Sequence, residues 1–230
     1  MGRSRVDAAV EELLSRVVSG TYPAGTALPG EAALASDLSV SRLTAREATR
    51  VLVTRGVLSS RQGSGTYVNE PEAWQDLGSL VALARHDGSE REVGLALLEV
   101  RRMLEVGSAG LAAARITDDR LQAMESAIAE LRRADADDDV DAAAAADLDF
   151  HNHIIKAASN PFVSVTFAPL RDELVVARRV TSAHHEVRAH AVVQHERILT
   201  ALRLGSPDAA KAAMRAHMDQ TTNDLLEYTA

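Results

Sequence analysis

The chain has 230 residues, 46% hydrophobic and 25% charged, so it can bury a core without help from a disulfide or a structural metal. It contains no cysteine, which excludes disulfide scaffolds, thiolate zinc sites and cysteine nucleophiles. No apolar stretch approaches the roughly 18 residues that a membrane-spanning helix needs, and the charged N-terminus lacks the apolar centre of a signal peptide. We therefore expect a folded protein of the reducing cytoplasm.

The net charge of −8 is distributed unevenly along the chain. Residues 1–70 carry eight Arg and seven acidic residues, whereas residues 71–230 carry 17 basic and 26 acidic residues. The acidity thus belongs to the second segment. Together with the polar, proline-marked stretch Asn69-Glu70-Pro71-Glu72, this difference predicts a small domain over 1–70 and a larger acidic domain over 71–230.

The first 70 residues have the element order of a winged helix-turn-helix. Helical periodicity, capping residues and β-prone runs mark the elements. They are helices over 4–19, 31–38 and 42–55, and strands over 57–61 and 66–68. Ser41 is the predicted N-cap of the third helix, and Gln62-Gly63-Ser64-Gly65 forms the tip of the predicted hairpin, the wing.

The third helix has two chemically different faces. One face is apolar through Ala45, Ala48 and Leu52, and the opposite face is polar; the polar residues are Arg42, Arg46, Thr49 and Arg50. A recognition helix places its N-terminal residues in the major groove, where arginine forks match guanine edges or phosphates. A helical hairpin with a solvated arginine face is the alternative, but the turn before this helix and the wing after it favour DNA binding.

Six separated blocks resemble the signature of the GntR superfamily of bacterial transcription regulators, across most of residues 8–68. The blocks are Leu28-Pro29-Gly30-Glu31, Val40-Ser41-Arg42, Arg46-Glu47-Ala48, Leu52, Gly56 and Gly63-Ser64-Gly65-Thr66-Tyr67-Val68. The resemblance implies a homodimeric repressor or activator that reads a short palindromic operator.

The same resemblance implies which side chains contact DNA. Base and phosphate contacts are carried over to Arg42 and Arg46, backbone contacts to Ser41 and Thr44, and a minor-groove position to Gly63. The polar face adds Arg50 to this set. Two positions depart from the family pattern, because Ala32 stands where relatives often carry Arg and Leu43 where they often carry Thr. Both departures remove polar contacts and alter the expected half-site.

After residue 71 the pattern is helical throughout, so the predicted fold class is mainly α, a winged helix-turn-helix followed by an all-α bundle. The predicted helices are 73–85, 90–114, 118–134, 139–158, 161–181, 185–204 and 206–228.

Three histidines and one aspartate fall on the apolar sides of three predicted helices. They are His151 and Asp147, one turn apart on the same helix, His195 on a second helix and His217 on the last. Burying such groups unpaired is costly, whereas one ion would satisfy all four, and imidazole suits Zn or Ni. The alternative is a set of independent core histidines, each bonded to a backbone carbonyl. That alternative is favoured for any single histidine, but the metal is favoured for the four residues together.

Segments of the second half resemble the FCD ligand-binding domain of the FadR branch, over about residues 73–228. They are Glu99-Val100-Arg101 through Glu105, Asp147-Leu148-Asp149-Phe150-His151, Ser159-Asn160-Pro161, His195-Glu196 through Leu202, and Met214-Arg215-Ala216-His217-Met218. The resemblance is to the metal-binding subtype and implies Asp147, His151, His195 and His217 as ligands. A helix near Trp74–Arg85 indicates the seven-helix arrangement of this domain.

Four protein ligands leave positions open on a five- or six-coordinate ion. The family resemblance implies that an effector carboxylate occupies them, and a nearby arginine would complement it bidentately. Arg101 is the first candidate and Arg102 the second. For each of them, a surface ion pair with Glu99 or Glu105 is the alternative.

Taken together, the two domains favour a sequence-specific DNA-binding transcriptional regulator, without catalytic residues, whose operator affinity responds to a metal-bound organic acid. One alternative is a metal-dependent hydrolase with an accessory DNA-binding module, for which Glu196 and Asp149 are the possible bases, neither at a compelling spacing. Another is a purely structural metal in a dimerisation module.

Overall fold

The computed structural model describes residues 4–228, with every side chain in that range except those at 176 and 177. The chain divides into two compact units, with the division between Ser89 and Glu90. The first unit contains α1 (Arg5–Val18), α2 (Glu31–Asp37), α3 (Arg42–Thr54), β1 (Leu58–Arg61), β2 (Gly65–Val68), a 3-10 turn (Pro71–Ala73) and α4 (Leu77–Asp87). The second contains α5 (Glu90–Ala113), α6 (Asp118–Ala136), α7 (Val140–Ala157), α8 (Pro161–Thr181), α9 (His185–Arg203) and α10 (Pro207–Tyr228).

Local capping explains where two helices of the first unit begin. Ser4 and Asp7 form a reciprocal capping box at the start of α1. Ser41 caps α3, because its Oγ accepts a hydrogen bond from the Thr44 backbone amide at 3.0 Å, so the predicted N-cap is confirmed. Four residues link α2 to α3, and Ser39 among them adopts a positive φ of 55°, which turns the chain sharply.

The core of the first unit lies between α1, α2, α3 and the wing. The predicted apolar face of α3 is fully buried there, with Ala45, Ala48 and Leu52 all at 0% exposure. β1 and β2 pair antiparallel, with Leu58 opposite Val68. The polar face of α3 is therefore turned away from this core.

The helix predicted over 73–85 begins later, at Leu77. Pro71 opens only a 3-10 turn, and the carboxylate of Asp76 then caps α4 by accepting from the Ser79 amide at 2.9 Å. Ala82 and Leu83 of α4 pack against the core of the first unit. Among the described residues, the second unit thus comprises six helices, while the helix that would make a seventh packs with the winged domain.

The second unit is a helical bundle in which α10 packs along α5 and α9, and α7 packs along α5, α6 and α8. Its core is apolar and includes Met124, Phe150, Ile154, Ile198 and Met214, each at 0% exposure. This packing brings the inner faces of α5, α7, α9 and α10 toward one another. Over residues 4–228, none of the helices has the length and apolarity needed to cross a membrane.

Candidate metal centre and DNA interface

Three buried imidazoles converge in the bundle, one each from α7, α9 and α10. The Nε2 atoms of His195 and His217 both lie 3.2 Å from Nε2 of His151. One ligand atom from each of the three rings lies within 4.8 Å of the others. All three side chains are at most 2% exposed. Tertiary packing thus brings together three imidazole nitrogens, although the first and last of these histidines are 66 residues apart in the sequence.

Asp147 lies at the edge of this group of three imidazoles, beside His195 and His151. Its Oδ1 lies 3.4 Å from Nε2 of His195 and 3.9 Å from Nε2 of His151, as one helical turn between Asp147 and His151 requires. Asp149, two residues later, is more than half exposed and lies 3.3 Å from His153 instead. The structure therefore places the four predicted ligands in or beside one buried cluster and places Asp149 outside that cluster.

The 3.2 Å distances from His151 to the other two imidazoles and the 3.4 Å distance from Asp147 to His195 suit a metal ion, whereas the 3.9 Å from Asp147 to His151 is longer than one ion would require. An ion with bonds of about 2.1 Å separates its ligand atoms by roughly 3.0–3.4 Å in octahedral or tetrahedral geometry. In addition, the Nδ1 atoms of His195 and His217 have no hydrogen-bond partner among the described residues, and Nδ1 of His151 contacts the Glu105 carboxylate. A carboxylate behind an imidazole fixes the ring and turns the lone pair of Nε2 toward the ion. The donor set of three imidazoles and one carboxylate thus fits a divalent transition metal.

Burial sets the protonation states of this cluster. Desolvation lowers the pKa of His195 to about 4 and holds the pKa values of His151 and His217 well below the usual range. Burial by itself would raise the pKa of Asp147, but the positive charge of Arg178 and the neighbouring rings hold it below its usual value. At neutral pH the rings are therefore neutral and the carboxyl group is ionised, which are the forms that bind metals.

Two buried arginines border the cluster. The Nε of Arg101 contacts Glu105, and both of its Nη atoms are buried with no hydrogen-bond partner among the described residues. The Nε of Arg178 lies 2.7 Å from Oδ2 of Asp147, and its Nη2 is likewise unpartnered. Burial, reinforced by the charge of Arg101, lowers the pKa of Arg178 to about 10. Both arginines are among the residues that line a cavity of about 20 Å³, room for about one water molecule.

Arg102, the other predicted effector residue, lies at the surface. Its Nη2 is 2.5 Å from Oδ1 of Asp219, so the structure does not bring it into the buried cluster. The two possible bases of the hydrolase alternative are also outside, because Glu196 is nearly half exposed and contacts Arg132, and Asp149 pairs with His153.

Sequence reasoning named Glu105 only as a surface ion-pair partner, whereas its pair with Arg101 is buried, and it missed Arg178. Glu105 has a signal in the sequence, since it lies one turn after Arg101 on the same helix. Arg178 has no such signal, because the sequence does not distinguish it from the adjacent Arg179, which is exposed and pairs with Asp141.

On α3, the predicted DNA-binding residues lie on the exposed face. Arg42 and Arg50 are exposed, and Ser41 and Thr44 are joined through their hydroxyl groups at 2.8 Å. Arg46 donates from Nε and Nη2 to the two carboxylate oxygens of Glu31, at 2.8 and 2.6 Å. This bidentate ion pair orients the guanidinium and leaves Nη1 available to contact a base edge or a phosphate.

The wing tip is shaped by glycines and an aromatic ring. Gly63 has a φ of 73°, and no heavy atom would lie within 4 Å of an added Cβ, so backbone conformation and not space calls for glycine. The guanidinium of Arg61 stacks on the Tyr67 ring at 4.1 Å, and Ser64 Oγ lies 2.7 Å from the Tyr67 hydroxyl. The tip thus presents a positive charge beside a bare backbone.

Two family models match the chain. Residues 5–68 match the model described as bacterial regulatory proteins, gntR family, and residues 96–220 match the FCD domain. LutR of Bacillus subtilis strain 168 is 30% identical over 220 residues, covering 92% of this chain and 97% of LutR. The transcriptional repressor NanR of Escherichia coli strain K12 / DH10B is 27% identical over 226 residues, covering 96% and 85%.

Solved structures agree with these matches. A Streptococcus agalactiae GntR structure is 30% identical, with a TM-score of 0.51, and covers 95% of this chain and 99% of its own. The structure of Lar, a protein that controls the expression of the Listeria monocytogenes agr system, shares the fold at a TM-score of 0.69 and 17% identity, with 99% of each chain covered. The chain therefore belongs to the GntR family of bacterial transcriptional regulators and joins a GntR-type winged helix-turn-helix domain to an FCD domain.

Proposed function

We propose that this regulator holds one divalent metal ion, Zn or Ni, in its FCD domain and that the ion is part of a sensor for a small carboxylate. The ligands are Asp147, His151, His195 and His217. The single observation that carries the proposal is the convergence of three neutral, buried Nε2 atoms beside an ionised carboxylate. Nitrogen lone pairs that face one another repel, and a cation at their centre turns that repulsion into coordination.

Charge supports an anionic effector. The charges of Arg101 and Arg178 balance those of Glu105 and Asp147, and the rings are neutral, so a bound +2 ion would leave the buried cluster positive. Such a charge in an apolar bundle favours an anion as an additional ligand. The two unpartnered Nη atoms of Arg101 form the fork that a carboxylate accepts. The cavity of about 20 Å³ would have to widen to admit the acid.

We further propose that the protein acts as a homodimer on a palindromic operator in the cytoplasm. One winged domain offers few arginines for phosphate contacts, and a two-fold operator matches a two-fold protein. An effector that binds one arrangement of the two winged domains better than another would change operator affinity by that difference.

The effector proposal predicts a specific role for Arg101. Purified, metal-loaded protein is screened against small mono-, di- and tricarboxylates for thermal stabilisation and for release of a DNA site selected from random duplexes. We expect Arg101→Gln to weaken the active acid by about 1.5–3 kcal/mol, the cost of losing a charge-assisted hydrogen bond, with metal content unchanged. Arg102→Gln, which removes the neighbouring arginine from the surface, is the matched control. An equal loss in both variants, or in neither, would contradict the role of Arg101.

DNA binding should depend on Arg46. We expect Arg46→Ala to weaken binding to the selected site by about 1–3 kcal/mol if its free end reads a base. Fluorescence anisotropy with a labelled duplex measures the change, and Arg132→Ala, an arginine removed from the surface of the FCD domain, serves as the control. A folded Arg46→Ala protein that binds like the wild type would refute the assignment of α3 as the recognition helix.

A further inference from the structure

Leu43 occupies an unusual place on α3. Its side chain is 65% exposed, and it lies in the first turn of the helix, the part of a recognition helix that enters the major groove. With about 100° of rotation per residue, it points opposite to the buried face of Ala45, Ala48 and Leu52. Leu43 therefore stands on the outermost line of the helix, in the row that continues three and seven residues later.

The rest of that row is charged. Arg46 and Arg50 follow Leu43 on the same face, and both are exposed. Single exposed leucines are common and need no explanation. This one, however, is more exposed than any other large hydrophobic side chain among the described residues of the first unit, and it lies among groups suited to DNA. An apolar group at this point contributes nothing to phosphate binding, but it can contact the apolar methyl group that a base edge presents in the major groove.

We propose that Leu43 reads a thymine, by packing its side chain against the C5-methyl group in the major groove. Thymine is the base that displays a methyl group there, and apolar side chains contact it. Against guanine, adenine or cytosine at the same position, the leucine would cover donors or acceptors without replacing their hydrogen bonds with water. Leu43 thus adds sequence preference beside the arginine contacts, and the proposal rests on α3 being the recognition helix.

The test removes one methyl group at a time. Full-length protein selects its site from random double-stranded DNA, and each dT of the selected half-site is replaced singly by dU, which pairs identically but lacks the methyl group. Dissociation constants are measured for the wild type, Leu43→Ala and Leu43→Thr. Since Leu43 is exposed, we expect both variants to fold, and fluorescence of Trp74 in the same unit reports this.

We expect one position per half-site at which dU weakens wild-type binding about fourfold, and about fifteenfold when both half-sites carry it, the scale of burying one methyl-sized group. At that position Leu43→Ala should bind dT and dU equally. Replacement of the same thymine by dC should weaken wild-type binding more, and 5-methyl-dC should restore part of the loss. This coupling between one side chain and one methyl group is what a general effect on helix stability would not produce.

Two outcomes separate the proposal from the one beneath it. If dU has the same effect on wild type and Leu43→Ala at every position while Arg46→Ala still weakens binding, Leu43 reads no methyl group and only this inference fails. If Arg46→Ala has no effect either, α3 is not the recognition helix and the DNA-binding proposal itself fails.

Discussion

Protein purified without an affinity tag should contain about one Zn, Ni or similar ion per chain, and the His195→Ala/His217→Ala variant should contain none. The variant removes two of the four proposed ligands, each from a different helix, so the ion would no longer join α7, α9 and α10. Because binding to the folded state alone is also folding free energy, we expect the variant to melt at a lower temperature and to lose its response to the carboxylate. Elemental analysis and circular dichroism measure these effects.

The chain provides its own internal control for this experiment. Its single tryptophan, Trp74, is buried in the core of the first unit, so its fluorescence reports the winged domain, while circular dichroism reports mostly the helical bundle. DNA binding should largely survive in the double variant, since Arg42 and Arg46 belong to the first unit. His86→Ala/His185→Ala removes two exposed imidazoles and should retain the ion. If the wild type holds no metal, and added Zn or Ni neither binds nor raises the melting temperature, the cluster is only a set of buried polar groups.

Metal-free protein should lose stability steeply between about pH 6.5 and pH 4. An unfolded histidine takes up its proton near pH 6.5, whereas burial lowers the pKa of folded His195 to about 4 and those of His151 and His217 well below the usual range. The unfolded state therefore binds more protons in this window, so the free energy of unfolding falls as the pH falls. Each such ring contributes up to about 1.4 kcal/mol per pH unit, and His195 about 3 kcal/mol over the window.

One substitution tests whether these histidine rings cause the loss of stability below pH 6.5. Phe150 stacks on His195 with ring centroids 4.0 Å apart, so His195→Phe places a second flat ring beside it without a titrating group. The free energy of unfolding is measured with urea on chelator-treated protein at a series of pH values. Its decrease toward low pH should be less steep for the variant, by about 1.4 kcal/mol per pH unit. An identical slope in both proteins would mean that His195 is already protonated in the folded state.

Local chemistry made the helix boundaries and the winged architecture predictable from the sequence. Ser41 lies where a cap is needed, Pro161 opens α8 at the predicted residue, and α10 begins at Pro207, one residue after its predicted start. Such signals act within a turn of helix and do not require the rest of the fold. Two helix-start signals, Pro71 and Asp76, lie close together in the sequence. The first opens only a 3-10 turn, so the start of α4 was predicted at residue 73 instead of Leu77.

By itself the sequence determined that Asp147, His151, His195 and His217 belong to the inner faces of three helices, because a polar residue in an apolar stripe is visible at helical spacing. Only the tertiary structure decided that Nε2 of His151 lies 3.2 Å from those of His195 and His217, with Asp147 3.4–3.9 Å from two of the rings, and that Arg101 and Arg178 turn inward while Arg102 and Arg179 pair at the surface. The physical reason is that two adjacent arginines are chemically identical and have the same helix propensity, so local sequence does not distinguish them. Helix packing alone fixes which guanidinium is cut off from water.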